Sequence, residues 1–142
     1  MILILFCLFL IAVSAQGQNI PCGASAIIVH NVSFKSVCNS LLDSGYSIDR
    51  KDNDLQTVST QPRAYPKRFS ATYVIHARIK DSAAHFTVTF TAPKDGSIVR
   101  NEPSIHKCKK NGKPIDNIFT YPFTLLDSFA GTFGDKREYN TK

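Results

Sequence analysis

Between residues 69 and 80 the chain alternates, with Phe69, Ala71, Tyr73, Ile75, Ala77 and Ile79 interleaved by Ser70, Thr72, Val74, His76, Arg78 and Lys80. A period of two is that of a β-strand, which sends the two sets to opposite faces. Residues 84–92 repeat the pattern: Ala84, Phe86, Val88, Phe90 and Ala92 share one face, and His85, Thr87, Thr89 and Thr91 the other. Asp81, Ser82 and Ala83 lie between and supply a turn. The segment is therefore predicted to be an antiparallel hairpin with one apolar face. With Ser82 and Ala83 as a two-residue loop, Ile79 lies opposite Phe86, Ala77 opposite Val88 and Ile75 opposite Phe90, so the apolar faces match. The same register sets His85 opposite Lys80, four residues along from His76, or about 13 Å away. Such a greasy face must be covered, and the rest of the chain has to supply the cover.

Two helices are predicted to do so. Ser33 reads as an N-cap, followed by Phe34, Val37, Cys38, Leu41 and Leu42 at helical spacing, with Gly45 closing the end in a left-handed conformation. Near the C-terminus Pro122 suits a first helical turn, Phe123, Leu126, Phe129 and Ala130 follow on one side, and Gly131 is expected to cap the end. Residues 24–31, rich in β-branched side chains, read as a buried first strand. Residues 46–50 and 55–60 flank the polar tetrapeptide 51–54 and read as a second hairpin. Pro62 and Pro66 mark a loop that carries Arg63, Tyr65, Lys67 and Arg68. Residues 93–96 signal a turn, after which 97–100 returns as a short strand. The expected fold is α+β, a two-layer sandwich of four to six antiparallel strands covered on one face by two helices, in the order β-α-β-β-β-β-(β)-α. The ends at 16–23 and 135–142 are expected to be flexible.

The chain has 142 residues, of which 43% are apolar and 20% charged, the balance of one globular domain spanning 16–142. Residues 1–13 are uninterruptedly apolar and Val13, Ser14 and Ala15 offer a cleavage site. Thirteen residues fall short of the roughly 20 that cross a bilayer, so residues 1–15 are expected to be a secretory signal peptide, making the protein periplasmic or secreted. No lipoprotein cleavage box is evident, because Phe6 precedes Cys7 and Pro21 precedes Cys22. Without the leader, Cys22, Cys38 and Cys108 remain. Cys38 falls on the apolar side of the first helix, where a thiol acts as a small hydrophobe. Cys22 with Cys108 is thus the preferred disulfide, although three pairings are open.

Motifs of catalysis are absent: there is no phosphate-cradling glycine loop, Gly-x-Ser-x-Gly elbow, His-Glu-x-x-His or Cys-x-x-Cys. His106 and Cys108 alternate at a spacing that metal ligands use, but no second pair accompanies them, so neither metal nor cofactor is expected. Seventeen basic against eleven acidic residues give +6, and the most basic stretch is 106–113, with Lys107, Lys109, Lys110 and Lys113 around an Asn111-Gly112 turn. A lysine cluster of this kind fits a polyanion, whose binding weakens steeply with salt. The polar face of the central hairpin, with His76, Arg78, Lys80 and His85 among threonines, is the other candidate surface. Glu102 with His106 could supply acid and base to a small hydrolase or nuclease, but nothing in the sequence places them in one cleft.

The order strand, capped helix, hairpin, hairpin, helix carries a resemblance. Val37-Cys-Asn-Ser-Leu-Leu-Asp-Ser-Gly-Tyr-Ser-Ile-Asp49, read with Leu55-Gln-Thr-Val-Ser-Thr60 and the alternating strand after Phe69, resembles the small envelope domains of bacterial lipoproteins. Among these it is similar to the repeated α+β domain of BamC, a component of the outer-membrane β-barrel assembly machinery. The likeness covers residues 25–130 in order of elements, and departs from the family in the missing lipid-attachment cysteine and the single domain. It implies a non-catalytic binding or scaffolding role in the cell envelope. The expected partner is accordingly an envelope protein or an anionic surface polymer, not nucleic acid, with a polyanion-binding module and a small secreted hydrolase as alternatives.

Overall fold

The structure, a computed structural model, describes residues 19–66, 70–134 and 136–141. The expected signal peptide at 1–15, the start of the expected mature chain at 16–18, the loop cations Lys67 and Arg68, and Phe69 lie outside these residues. Mixed α and β elements follow in the order β1 (Ala24–His30), α1 (Phe34–Asp43), β2 (Ile48–Asp52), β3 (Thr57–Thr60), β4 (Arg63–Ala64), β5 (Thr72–Lys80), β6 (Ala83–Lys94), β7 (Ser97–Pro103), α2 (Tyr121–Ala130) and β8 (Glu138–Thr141). All pairings are antiparallel. Among the described residues the sheet has eight strands rather than four to six, along the path β2-β3-β5-β6-β1-β8. Two of the additional strands are short edge pieces that hydrophobic patterning does not mark: β4 has two residues, and β8 is polar and pairs β1 through its backbone. The chain therefore continues past α2, where the sequence suggested only a flexible tail.

The central hairpin forms, but its turn is Asp81-Ser82, not Ser82-Ala83. Both residues adopt positive φ, 52° and 60°, the geometry of a type I′ turn whose twist matches the flanking strands. The register moves by two as a result: Ile79 faces Ala84, Ala77 faces Phe86 and Ile75 faces Val88. A shift of two keeps every side chain on its predicted face. Tyr73, Ile75, Ala77, Phe86, Val88 and Phe90 are accordingly buried. The second hairpin also shifts, with Asp52 opposite Thr57 and the loop at 53–56.

Both edges of the central hairpin are divided. One edge of β6 pairs with β1 along residues 83–86 and with β7 along 89–94. The far edge of β5 pairs with β3 along 76–78 and with β4 at 72–73. In the second gap the Thr60 hydroxyl accepts a hydrogen bond from the Ile75 N–H at 3.1 Å.

Helix α1 has the predicted cap, reinforced by a reciprocal pair in which Ser33 Oγ accepts from the Ser36 N–H and Ser36 Oγ from the Ser33 N–H. It ends in a Schellman motif: Gly45, at φ 78°, donates to Leu42 O, and Tyr46 donates to Leu41 O. Phe34, Val37, Cys38 and Leu41 are buried, whereas Leu42, assigned to the same face, is 54% exposed. Helix α2 buries Pro122, Phe123, Leu126, Phe129 and Ala130. Gly131 does not cap it in a left-handed conformation; at φ −60° it leads into a 3₁₀ turn, Gly131–Phe133, and the positive φ falls on Gly134. That extra turn brings Phe133 against Phe86 and Phe129, with ring centroids 5.7 and 5.6 Å apart. The helices and the inward residues of β1, β5 and β6 share one hydrophobic core.

Cys22 and Cys108 form a disulfide and Cys38 is a buried free thiol, as the residues indicated. The bridge fastens the chain after β7 to the start of β1, where His106 N donates to Ala24 O and Gly23 N to His106 O.

Candidate functional site

Strand pairing lines up the outward side chains in rows. One row runs Asp52, Thr57, Arg78, His85, Ile28 and Glu138; its neighbour runs Arg50, Ser59, His76 and Thr87. Where the two rows cross β2, β3, β5 and β6 they line a shallow groove of about 660 Å³. His76 and His85 are thus brought into one groove. The two-residue shift in register sets them on diagonal positions about 7 to 8 Å apart, replacing the 13 Å separation expected from the sequence. They are not hydrogen-bonded to each other, because His76 Nε2 lies 3.0 Å from Thr89 Oγ1 on its other side. Partial burial lowers the pKa of His76 below the ordinary histidine value, disfavouring the charged ring.

The groove is cationic. Arg50 and Arg78 stand over it, and the Arg50 contact with neighbouring Asp49, 3.7 Å between exposed groups, contributes little. Asp52 Oδ1 already accepts from the Asp54 and Leu55 backbone N–H groups, at 2.9 Å each, in the tight loop between β2 and β3. Lys51 points the other way, its Nζ 5.6 Å from the Phe34 ring centroid. Among the described residues, Arg78, His85, Thr57, Ser59 and Thr87 line the groove without a side-chain hydrogen bond or ion pair. The interior is in contrast saturated: no buried side-chain nitrogen or oxygen among the described residues lacks a partner.

Other predicted site residues lie elsewhere. Lys80, at the end of β5 opposite Ala83, is exposed and outside the groove. Lys107, Lys109, Lys110 and Lys113 belong to a separate hairpin beyond β7, closed by a bridge between Cys108 and Pro114. Glu102 and His106 are not assembled. Glu102 is exposed on β7 and lines a recess with Lys94, Lys107 and Phe119, whereas His106 is 6% exposed with its ring 6.2 Å from that of Phe123. Burial lowers the His106 pKa, partly offset by the Asp127 carboxylate. Among the described residues, no three His, Cys, Asp or Glu side chains are grouped to hold a metal, and no helix is long and apolar enough to cross a membrane.

Sequence reasoning missed Arg50, Thr57 and Ser59 as groove residues. Their own spacing of two was available, but which strand lies beside β5 is decided by tertiary pairing. Comparison with protein-family models gives no match, and comparison with curated proteins gives none either.

Proposed function

We propose that this protein is an exported, non-catalytic binding domain of the cell envelope, and that it holds a carboxylate-bearing protein partner on the outward face of its sheet. In this reading helices and sheet form a two-layer sandwich, the helices sealing one face and leaving the other to the partner. The observation that carries it is the set of side chains without a hydrogen-bond or ion-pair partner among the described residues, Arg78, His85, Thr57, Ser59 and Thr87, gathered in one groove. Exposed donors give up hydration when a complementary surface replaces water, and charge-assisted hydrogen bonds offset that cost, for which the arginine fork is well suited to carboxylates. The leader at residues 1–15 supports export, and the Cys22–Cys108 bridge is compatible with an oxidising compartment. A binding role is also what the likeness to lipoprotein envelope domains implies.

The test is site-specific photocrosslinking in the native host. A crosslinker at Thr87 is expected to trap a partner, and Arg78→Glu with Arg50→Glu to abolish the adduct. No adduct from Thr87, alongside a robust one from Asn39 on the exposed side of α1, would remove the sheet face as the binding surface. Secretion is read separately, by N-terminal sequencing of the processed chain.

A further inference from the structure

The segment after β7 carries a second site. Residues 107–115 form a tight hairpin: Ile115 N donates to Lys107 O, Lys109 N to Lys113 O and Gly112 N to Lys109 O, all between 2.8 and 2.9 Å. Asn111 Oδ1 accepts from the Lys113 N–H and steadies the turn, and Gly112 supplies the positive φ of 76°. The disulfide to Cys22 clamps the base of this hairpin to the sheet. Lys107, Lys109, Lys110 and Lys113 are all exposed, and none is in an ion pair among the described residues. Like charges at this spacing repel, and on a flexible tail they would spread apart. Here covalent and backbone bonds hold them together, so a partner that neutralises them meets a cluster already ordered.

We infer that this disulfide-clamped hairpin is a preorganised binding site for a linear anionic polysaccharide, independent of the groove on the sheet. Three features select that class. Lysines are point charges without the forked geometry of arginine, so they register charge density and not the shape of one anionic group. No aromatic side chain lies within 107–115, which leaves nucleobases without a stacking platform. Among the described residues the exposed large apolar side chains, Leu42, Leu55 and Ile98, all lie outside the hairpin, so nothing on it would insert into a bilayer.

The experiment uses the full oxidised chain and dextran sulfate as probe, with affinity measured across a salt series. Replacing Lys109, Lys110 and Lys113 by Gln is expected to weaken binding about tenfold or more near physiological salt and to lower the log–log salt slope by about 2, from about 0.7 per lysine. Lys107 is left in place because it shares a recess with Glu102. A charge-matched control replaces the exposed Lys35, Arg100 and Lys136 by Gln and is expected to bind as the parent does. Equal losses in the two variants would show that net charge alone drives binding and would overturn the site. Reduction of the disulfide, with the circular dichroism of the fold retained, and Gly112→Ala, which strains the turn without touching the bridge, are each expected to weaken binding several-fold. Unchanged affinity in both would overturn the preorganisation. A single-stranded oligonucleotide of equal charge that bound more tightly than dextran sulfate would overturn the assignment to polysaccharide.

Discussion

Thr60 stands in for a backbone carbonyl. Where β5 exchanges β3 for β4, the ladder is interrupted, and the Thr60 hydroxyl, in a side chain only 1% exposed, receives the Ile75 N–H. Thr60→Val keeps the shape and removes the acceptor, leaving a buried donor unpaired, a loss expected at about 1 to 3 kcal/mol in urea unfolding. A change within a few tenths would show that the hydroxyl is dispensable. Ser104, fully buried, plays a comparable part for α2: its Oγ donates to Phe119 O and accepts from the Phe123 N–H, where Thr120 offers no side-chain cap. His76 and His106 add a pH dependence. Burial holds both below the ordinary value, so between about 6.5 and their folded values the unfolded chain binds more protons than the folded one. Stability is therefore full above that range and falls as pH is lowered through it. Urea titrations on either side of neutrality should show this decline, shallower in His76→Gln; stability that rose on acidification would contradict it.

At the scale of elements, the turn of the central hairpin places two consecutive non-glycine residues at positive φ. Asp81 and Ser82 both occupy the left-handed region, at a cost that glycine avoids. Ser82→Gly is expected to raise stability by up to about 1 kcal/mol, read as a shift in the urea midpoint; a fall would mean that Ser82 makes a contact worth more than the strain. The same turn explains what the sequence could and could not convey. Alternation along 69–92 names the buried face correctly because a slip of two leaves the faces unchanged, but no glycine marks the two positive-φ positions, so the turn is placed one residue late and the histidines too far apart. Helix α1 was legible at both ends because Ser33 and Gly45 carry their own chemistry. Strand β8 was not, since its pairing with β1 requires only backbone groups, and its anchor to α2, Tyr139 and Arg137 on Asp127 Oδ1 at 2.8 and 3.1 Å, joins residues that are unremarkable in sequence. The groove follows the same division: His76, Arg78 and His85 could be read from alternation, whereas Arg50, Thr57 and Ser59 join them only through the β3–β5 pairing.

Across the whole molecule the Cys22–Cys108 bridge spans 86 positions and encloses every strand except β8. In the chain-entropy account such a loop stabilises the fold by about 4 to 5 kcal/mol, so reduction is expected to lower the urea midpoint sharply, and a reduced protein as stable as the oxidised one would rule this out. The cysteine pairing was accessible from the sequence because Cys38 belongs to a helix interior, leaving two partners for one bond. The bridge also separates the chain into a part inside the loop and a part beyond it. A protease nick in the exposed turn at 53–55 leaves two pieces tied by sulfur, which part only under reducing conditions. A tryptic cut after Lys110 instead severs the segment carrying α2 and β8 from every covalent tie, so its retention depends on non-covalent contacts: the packing of Phe123, Leu126, Phe129 and Phe133, the hydrogen bonds to Ser104 and the β1 edge.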